Sequence, residues 1–274
     1  MEKKYILTDE TITLTNGIVL HRIKAIRSFN RVNVGDLGGW IEKEDNLSHE
    51  GDCWVFDNAM VCDNAKVYCD ACVYDNACVY GNANIGGNAE ISDNACVFGN
   101  AVVFNSVCIY GCAKVYGDTF ICDYAKIYDK AQVFGNSQVY NNACVFGNIR
   151  VYDNAYIYGN AEVYGDAKVY ENVRVFGDAI VYGNAQVFGD AEIYGNAEVY
   201  GDAIIQSKND YIVFKNWWSS GRYFTWTRSN NMWRVGCFYG TGEELIKKAY
   251  EDSEISGRGY ERIVKFVKNL LKEE

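Results

Sequence analysis

From Cys53 to Lys208 the apolar and polar positions of the chain repeat every six residues without a slip. Twenty-six consecutive units follow the pattern Ala-x-(Val/Ile)-(Tyr/Phe)-(Gly/Asp)-(Asn/Asp), as in AIVYGN, AQVFGD, AEIYGN and AEVYGD over 179–202. Positions 1 and 3 are small or β-branched. Position 2 is variable and often polar, as at Lys66, Glu90, Lys114, Gln132, Glu162 and Glu192. This alternation has the period of a strand with its odd residues pointing inward. Gly-Asn or Gly-Asp then supplies a corner, because these residues tolerate left-handed backbone angles. A helix is excluded, since a glycine in most six-residue units would break it and six does not match a 3.6-residue period. Short strands joined by equivalent corners must wind into a coil. Three units per coil make a triangular prism of 8 to 9 coils, about 40 Å long at the ~4.8 Å spacing of paired strands.

The flanks lack the period. Residues 1–52 predict an N-terminal β cap, with strands in KKYILTDETITL and IVLHRIKAIR around the turn Thr15-Asn16-Gly17. A solenoid end exposes unpaired strand edge and core, so a cover is a physical necessity. Residues 209–274 predict a small α+β domain. YFTWTR and MWRVGCFY read as a hairpin about Ser229-Asn230-Asn231. Thr241 is placed to cap a helix carrying Leu245, Ile246 and Ala249 on one face. Gly257-Arg258-Gly259 predicts a break, followed by a second amphipathic helix with Ile263, Phe266, Val267 and Leu270 on its packed side.

An aliphatic residue followed four places on by a small one, as at Val181 and Ala185 or Ile193 and Ala197, resembles the left-handed parallel β-helix family with hexapeptide repeats. The resemblance implies left-handed winding, an exception to the usual crossover hand. It also implies acyl-coenzyme A dependent acyl transfer as one function class, with a histidine as general base. Here His21 and His49 both lie outside the repeat. The segment from Phe29 to Ala59 is similar to the opening of YdcK-like hexapeptide-repeat proteins, through Phe29-Asn30, Gly38-Gly39-Trp40, Asn46-Leu47-Ser48 and Gly51-Asp52-Cys53-Trp54. The C-terminal segment resembles tail domains of phage and prophage repeat proteins.

Charge divides unevenly. Residues 53–206 hold 7 basic and 18 acidic side chains, a net −11, whereas 207–274 carry a net +3. An acidic rod repels nucleic-acid phosphate. Eleven cysteines, an odd number, and an N-terminus without an apolar leader point to free thiols and a cytoplasmic location. Cys78 and Cys96 lie one coil apart, so they stack as a thiol pair, a disulfide or a metal site. Asp57, Asp75 and Asp93 stack likewise, as corner formers or calcium ligands.

Two surfaces are candidates for partner binding. Units three apart align position 4, which lines up Tyr80, Phe98, Tyr116, Phe134, Tyr152, Tyr170 and Phe188 on one face. A second column runs Tyr110, Tyr128, Phe146, Tyr164, Tyr182 and Tyr200, and a third is interrupted at Gly86 and Cys122. Such a ladder either stabilises the rod or offers a sticky strip. The tail adds Arg222, Trp226, Arg228, Trp233 and Arg234, whose aromatics form either a contact patch or the domain's own core. The sequence therefore predicts a non-catalytic binding or scaffold protein with no cofactor. Its partner would be another protein, with a nucleic-acid-processing host complex as the candidate that an acidic, phage-encoded inhibitor would block. Acyl transfer, self-assembly through coil edges and a tail-mediated homodimer are the alternatives.

Overall fold

The computed structural model describes residues 2–272 and contains a parallel β-solenoid of about nine turns between two caps. The repeat folds as its pattern requires. Positions 2 and 3 of every regular unit form a two-residue strand, and each strand pairs in parallel with those 18 residues away, as Glu162 and Val163 pair with Ile180 and Val181. The first face runs from Met60–Val61 to Ile204–Ile205, the second from Lys66–Val67 to Glu192–Ile193, and the third from Trp54–Val55 to Glu198–Val199.

The interior is a column of Ala at position 1 and Val or Ile at position 3, all fully buried. Ala suits the narrow axis on which the three strands of a coil converge, and the same position accommodates Val107, Ile149 and Val173, also fully buried. Two stacked units place polar side chains there, with Thr119 and Ser137 buried at position 1. Ser137 Oγ donates to the Phe134 carbonyl oxygen at 2.9 Å. At the corners, position 5 takes positive φ throughout, +72° at Gly99 and +56° at Asp75. Glycine also eases the close approach of coils, since a Cβ on Gly81 would lie 2.9 Å from the Gly99 nitrogen of the next coil.

Hydrogen bonds between coils run one way. Each coil donates N–H groups to carbonyl oxygens of the next, as from Glu162 N to Ala179 O at 3.0 Å and from Tyr164 N to Val181 O at 2.9 Å. The first coil thus presents carbonyls and the last presents N–H groups. In the N-terminal cap, Tyr5–Thr13 and Val19–Ala25 form an antiparallel hairpin, and Leu37–Ile41 joins it to the first face. This cap supplies donors: Trp40 N to Ala59 O at 2.9 Å, Ser48 N to Val67 O at 2.9 Å, and the Asn46 side-chain amide to Ala65 O at 2.9 Å. Fully buried Lys4 sends its ammonium to Cys53 O at 2.8 Å and Gly51 O at 3.1 Å.

The C-terminal domain supplies acceptors to the opposite end. Thr225 Oγ1 takes Glu198 N at 2.9 Å, Ser229 Oγ takes Ile204 N at 2.7 Å, and Asp210 Oδ2 takes Gln206 N at 2.8 Å. Its sheet has four antiparallel strands, Tyr211–Lys215, Tyr223–Thr227, Met232–Val235 and Phe238–Gly240. Helices α1 (Gly242–Asp252) and α2 (Glu254–Leu270) pack on it. Thr241 caps α1 as expected, with Glu244 closing a capping box.

Two expectations for the tail are corrected. The helices part at Ser253, whose side chain caps α2, and α2 runs on through Gly257 and Gly259. Those glycines serve contact: a Cβ on Gly257 would meet the Tyr250 ring at 2.2 Å, and one on Gly259 the Trp218 ring at 2.3 Å. The packed face of α2 follows Ser256, Tyr260, Val264 and Val267, which are buried, while Phe266 and Leu270 are exposed.

If the axis is as tight as described, Ala161→Leu should lower stability by about 1–3 kcal/mol through overpacking. Glu162→Leu, one residue along and outward, should change it by no more than about 0.5 kcal/mol. Equal shifts in the denaturant midpoint for the two variants would contradict the packing assignment.

Candidate functional site

The aromatic ladders form as the spacing requires. On the first face Tyr80, Phe98, Tyr116, Phe134, Tyr152, Tyr170 and Phe188 stack in one unbroken series, with centroids 4.7 to 5.2 Å apart. These rings are half-buried, not fully outward, because each is stacked between the rings of the neighbouring coils. Tyr80 packs beneath the cap hairpin beside Leu20, Trp40 and Cys62. Next to this ladder, position 2 carries Lys114, Gln132, Arg150, Lys168 and Gln186, a column without a carboxylate.

The third-face ladder, Tyr110 to Tyr200, ends against the tail. Tyr239 meets Tyr200 edge-on at 4.5 Å and rides over Gly201, where a Cβ would lie 2.2 Å from its hydroxyl.

The second-face ladder is broken, as expected, at Gly86 and Cys122. Tyr68 and Phe104 close over Gly86, and Tyr140, Tyr158, Phe176 and Tyr194 stack beyond Cys122. The break leaves apolar rings in solvent. Phe104 is 37% exposed, Phe120 41% and Tyr124 65%. Phe120 pairs in register with Val102 and Gln138 on the neighbouring coils. This patch was not singled out from the sequence. Its signal was legible in the unit Thr119-Phe-Ile-Cys-Asp-Tyr124, which puts Phe at a polar position and Tyr at a corner position.

The tail residues do not assemble into one exposed patch. Trp226 and Trp233 are each 2% exposed in the domain core, where Trp226 Nε1 donates to Asn231 Oδ1 at 2.9 Å. Of the two readings of these rings, the core is where they lie. Arg234 faces the rod instead. Its Nε donates to Glu198 Oε2 at 3.0 Å, and its guanidinium sits 5.4 and 5.3 Å from the ring centres of Tyr182 and Tyr200. Arg222 lies against Gly236, and Arg228 is exposed at the strand end.

The histidines are held differently. His49 stacks on Tyr5 at 4.4 Å, accepts the Lys4 N–H at Nδ1 (3.3 Å), and donates from Nε2 to Glu44 Oε1 at 3.0 Å. Hydrogen bonds from Lys3 and then His49 hold the Glu44 carboxyl below its ordinary range. With both nitrogens engaged, His49 has no lone pair for base chemistry. His21 uses Nδ1 toward the Thr8 carbonyl at 3.2 Å, which leaves its Nε2 for other contacts.

All eleven cysteines are free. Cys78 and Cys96 are register partners on the first face. The hydrogen bond between their thiols pushes Cys78 up and holds Cys96 down. The corner carboxylates are engaged by backbone: Asp75 Oδ2 accepts Asp93 N at 3.2 Å, and Asp93 Oδ2 accepts Gly111 N at 2.9 Å. Among the described residues, no group of three His, Cys, Asp or Glu side chains is arranged to hold a metal ion. Nor is any helix among them long and apolar enough to cross a membrane.

No protein-family model matches the chain. It is similar to the protein named uncharacterized acetyltransferase YdcK of Escherichia coli strain K12, with 35% identity over 66 residues. The match covers 22% of this chain and 20% of that protein's length. Together with the coiled architecture, this supports a place among β-helix proteins of the hexapeptide type.

The Arg234 clamp makes a measurable claim. Arg234→Ala should destabilise the tail's seat by about 1–2 kcal/mol, because a partly buried ion pair and two ring contacts go together. Limited proteolysis should then cut between the rod and the tail sooner than in the parent protein. An unchanged cleavage rate would show that the clamp is idle.

Proposed function

We propose that the protein is a non-catalytic binding scaffold whose capped rod presents its sides to a partner protein. The observation that carries this reading is the cluster Phe104, Phe120 and Tyr124, exposed where the second-face ladder breaks. Large aromatics in this setting are the residue types that anchor protein interfaces. The finer reading names the partner as a host complex that processes nucleic acid, inhibited by a phage-encoded protein. It is supported by the rod's net charge of −11, which can stand in for a polyanion. The first-face ladder and the exposed Arg222 and Arg228 are the competing contact surfaces. Affinity purification from bacterial lysate separates them. A protein retained in stoichiometric amount by the wild type, kept by Phe134→Ala and lost with Phe120→Glu is the expected result. Equal retention by Phe120→Glu, or no such protein at all, would sink the second-face assignment.

A second reading, acyl transfer from coenzyme A thioesters, is favoured by the similarity to YdcK. It requires a histidine base, and His49 is already committed on both nitrogens. We therefore expect any coenzyme A thioester binding, measured by calorimetry, to be unchanged by His49→Ala, with His21→Ala as the companion variant. Loss of binding in either folded variant would put the enzyme reading first.

A further inference from the structure

The second-face ladder ends in an unusual way. Its rings stack at 4.9 to 5.5 Å from Tyr140 through Tyr158 and Phe176 to Tyr194, and there the series stops. The third-face ladder is closed by Tyr239, which the tail lays across Tyr200. At Tyr194 the tail provides only the edge of Tyr211, at 6.5 Å and 77°, while the Tyr211 hydroxyl is spent on Glu192 O at 2.9 Å. Tyr194 consequently remains 50% exposed, the most open ring in its ladder. The place where the next ring of the stack would lie borders a cleft of about 500 Å³ between the last coil and the tail.

The walls of this cleft have a definite chemistry. Tyr194 and Asn196 come from the rod, and Ile212, Val213 and Tyr223 from the tail sheet, with Lys208 between the two. The only charged side chain in the lining is that lysine. A second cation is close, since Lys215 Nζ lies 5.3 Å from the centre of the Tyr223 ring. Corner grooves elsewhere on the rod are lined by carboxylates, as at Asp153 and Glu171. On a chain of net charge −10, a cleft lined by one lysine and several aromatic rings without a carboxylate is set apart from its surroundings. Its volume falls in the range of small-molecule sites.

We propose that this junction cleft binds a planar aromatic anion of mononucleotide size. The planar ring packs on the half-exposed ring of Tyr194, and the anionic group meets Lys208. Stacking adds about 0.5–1.5 kcal/mol per aromatic pair, and the exposed Lys208 adds a solvent-screened ion contact. Asn196 offers an amide for hydrogen bonds at the ring edge. The proposal stands apart from the lateral-surface reading, because it uses neither Phe104, Phe120 nor Tyr124.

Calorimetry on the full chain tests it with AMP as probe, and with adenosine and inorganic phosphate as its separated halves. AMP should give a saturable heat, and each half should bind at least about tenfold more weakly. Tyr194→Ala and Lys208→Glu should each weaken AMP by about tenfold, while Tyr124→Ala, on the distant patch, should leave it unchanged. Tyr223→Ala serves as a second wall variant should Tyr194→Ala lose its fold by circular dichroism. The proposal fails if AMP gives no saturable heat up to about 10 mM. It fails equally if either half binds as well as AMP, or if AMP binding survives both Lys208→Glu and the folded wall variant.

Discussion

A one-directional hydrogen-bond ladder governs this molecule. Every coil gives N–H groups forward and receives them from behind, so the rod has an acceptor end and a donor end. The two ends demand opposite chemistry, and the flanking segments differ accordingly. The N-terminal cap brings backbone N–H groups, the Asn46 amide and the Lys4 ammonium to carbonyls. The tail brings hydroxyl and carboxylate oxygens to amides. Leaving such groups unpaired and buried costs about 1–3 kcal/mol each. A closed ladder also removes the open edge through which copies of a solenoid would add end to end.

Much of the rod was readable from the sequence because a single six-residue rule repeats without insertion. Burial of Ala and Val, the stacking of rings every 18 residues and the gaps at Gly86 and Cys122 all follow from that rule. The caps were less legible, since their decisive contacts join residues with no shared pattern. Lys4 reads as one of several N-terminal lysines, yet it is sealed beneath the first coil. Gly257 and Gly259 read as helix breakers because sequence spacing does not reveal the Tyr250 and Trp218 rings that press on them. Trp226 and Trp233 were divisible between surface and core only once the strand faces were known.

The surface positions show the same division. A ring inside an intact ladder is shielded by its neighbours above and below, so the first-face residues are half covered despite pointing outward. On the rod, rings become available where a stack is interrupted or ends, at Phe104 and Tyr194, and where an aromatic stands off the ladder position, at Phe120 and Tyr124. An irregular unit therefore marks the first proposed site, and the end of a ladder marks the second. The same regularity that stabilises the rod hides its aromatics.

The threefold coil also gives the chain a fixed angular phase. Eighteen added residues would lengthen the shaft by one strand spacing, about 4.8 Å, and leave every column aligned. Six added residues would turn all that follows by a third of a revolution. The tail would keep its seat on the last coils, with Arg234 still at Glu198, but would stand a third of a turn away from its bearing on the N-terminal cap. Growth or loss of the shaft in evolution is thereby quantised in whole coils, and its length can drift while the bearing of one end upon the other stays locked.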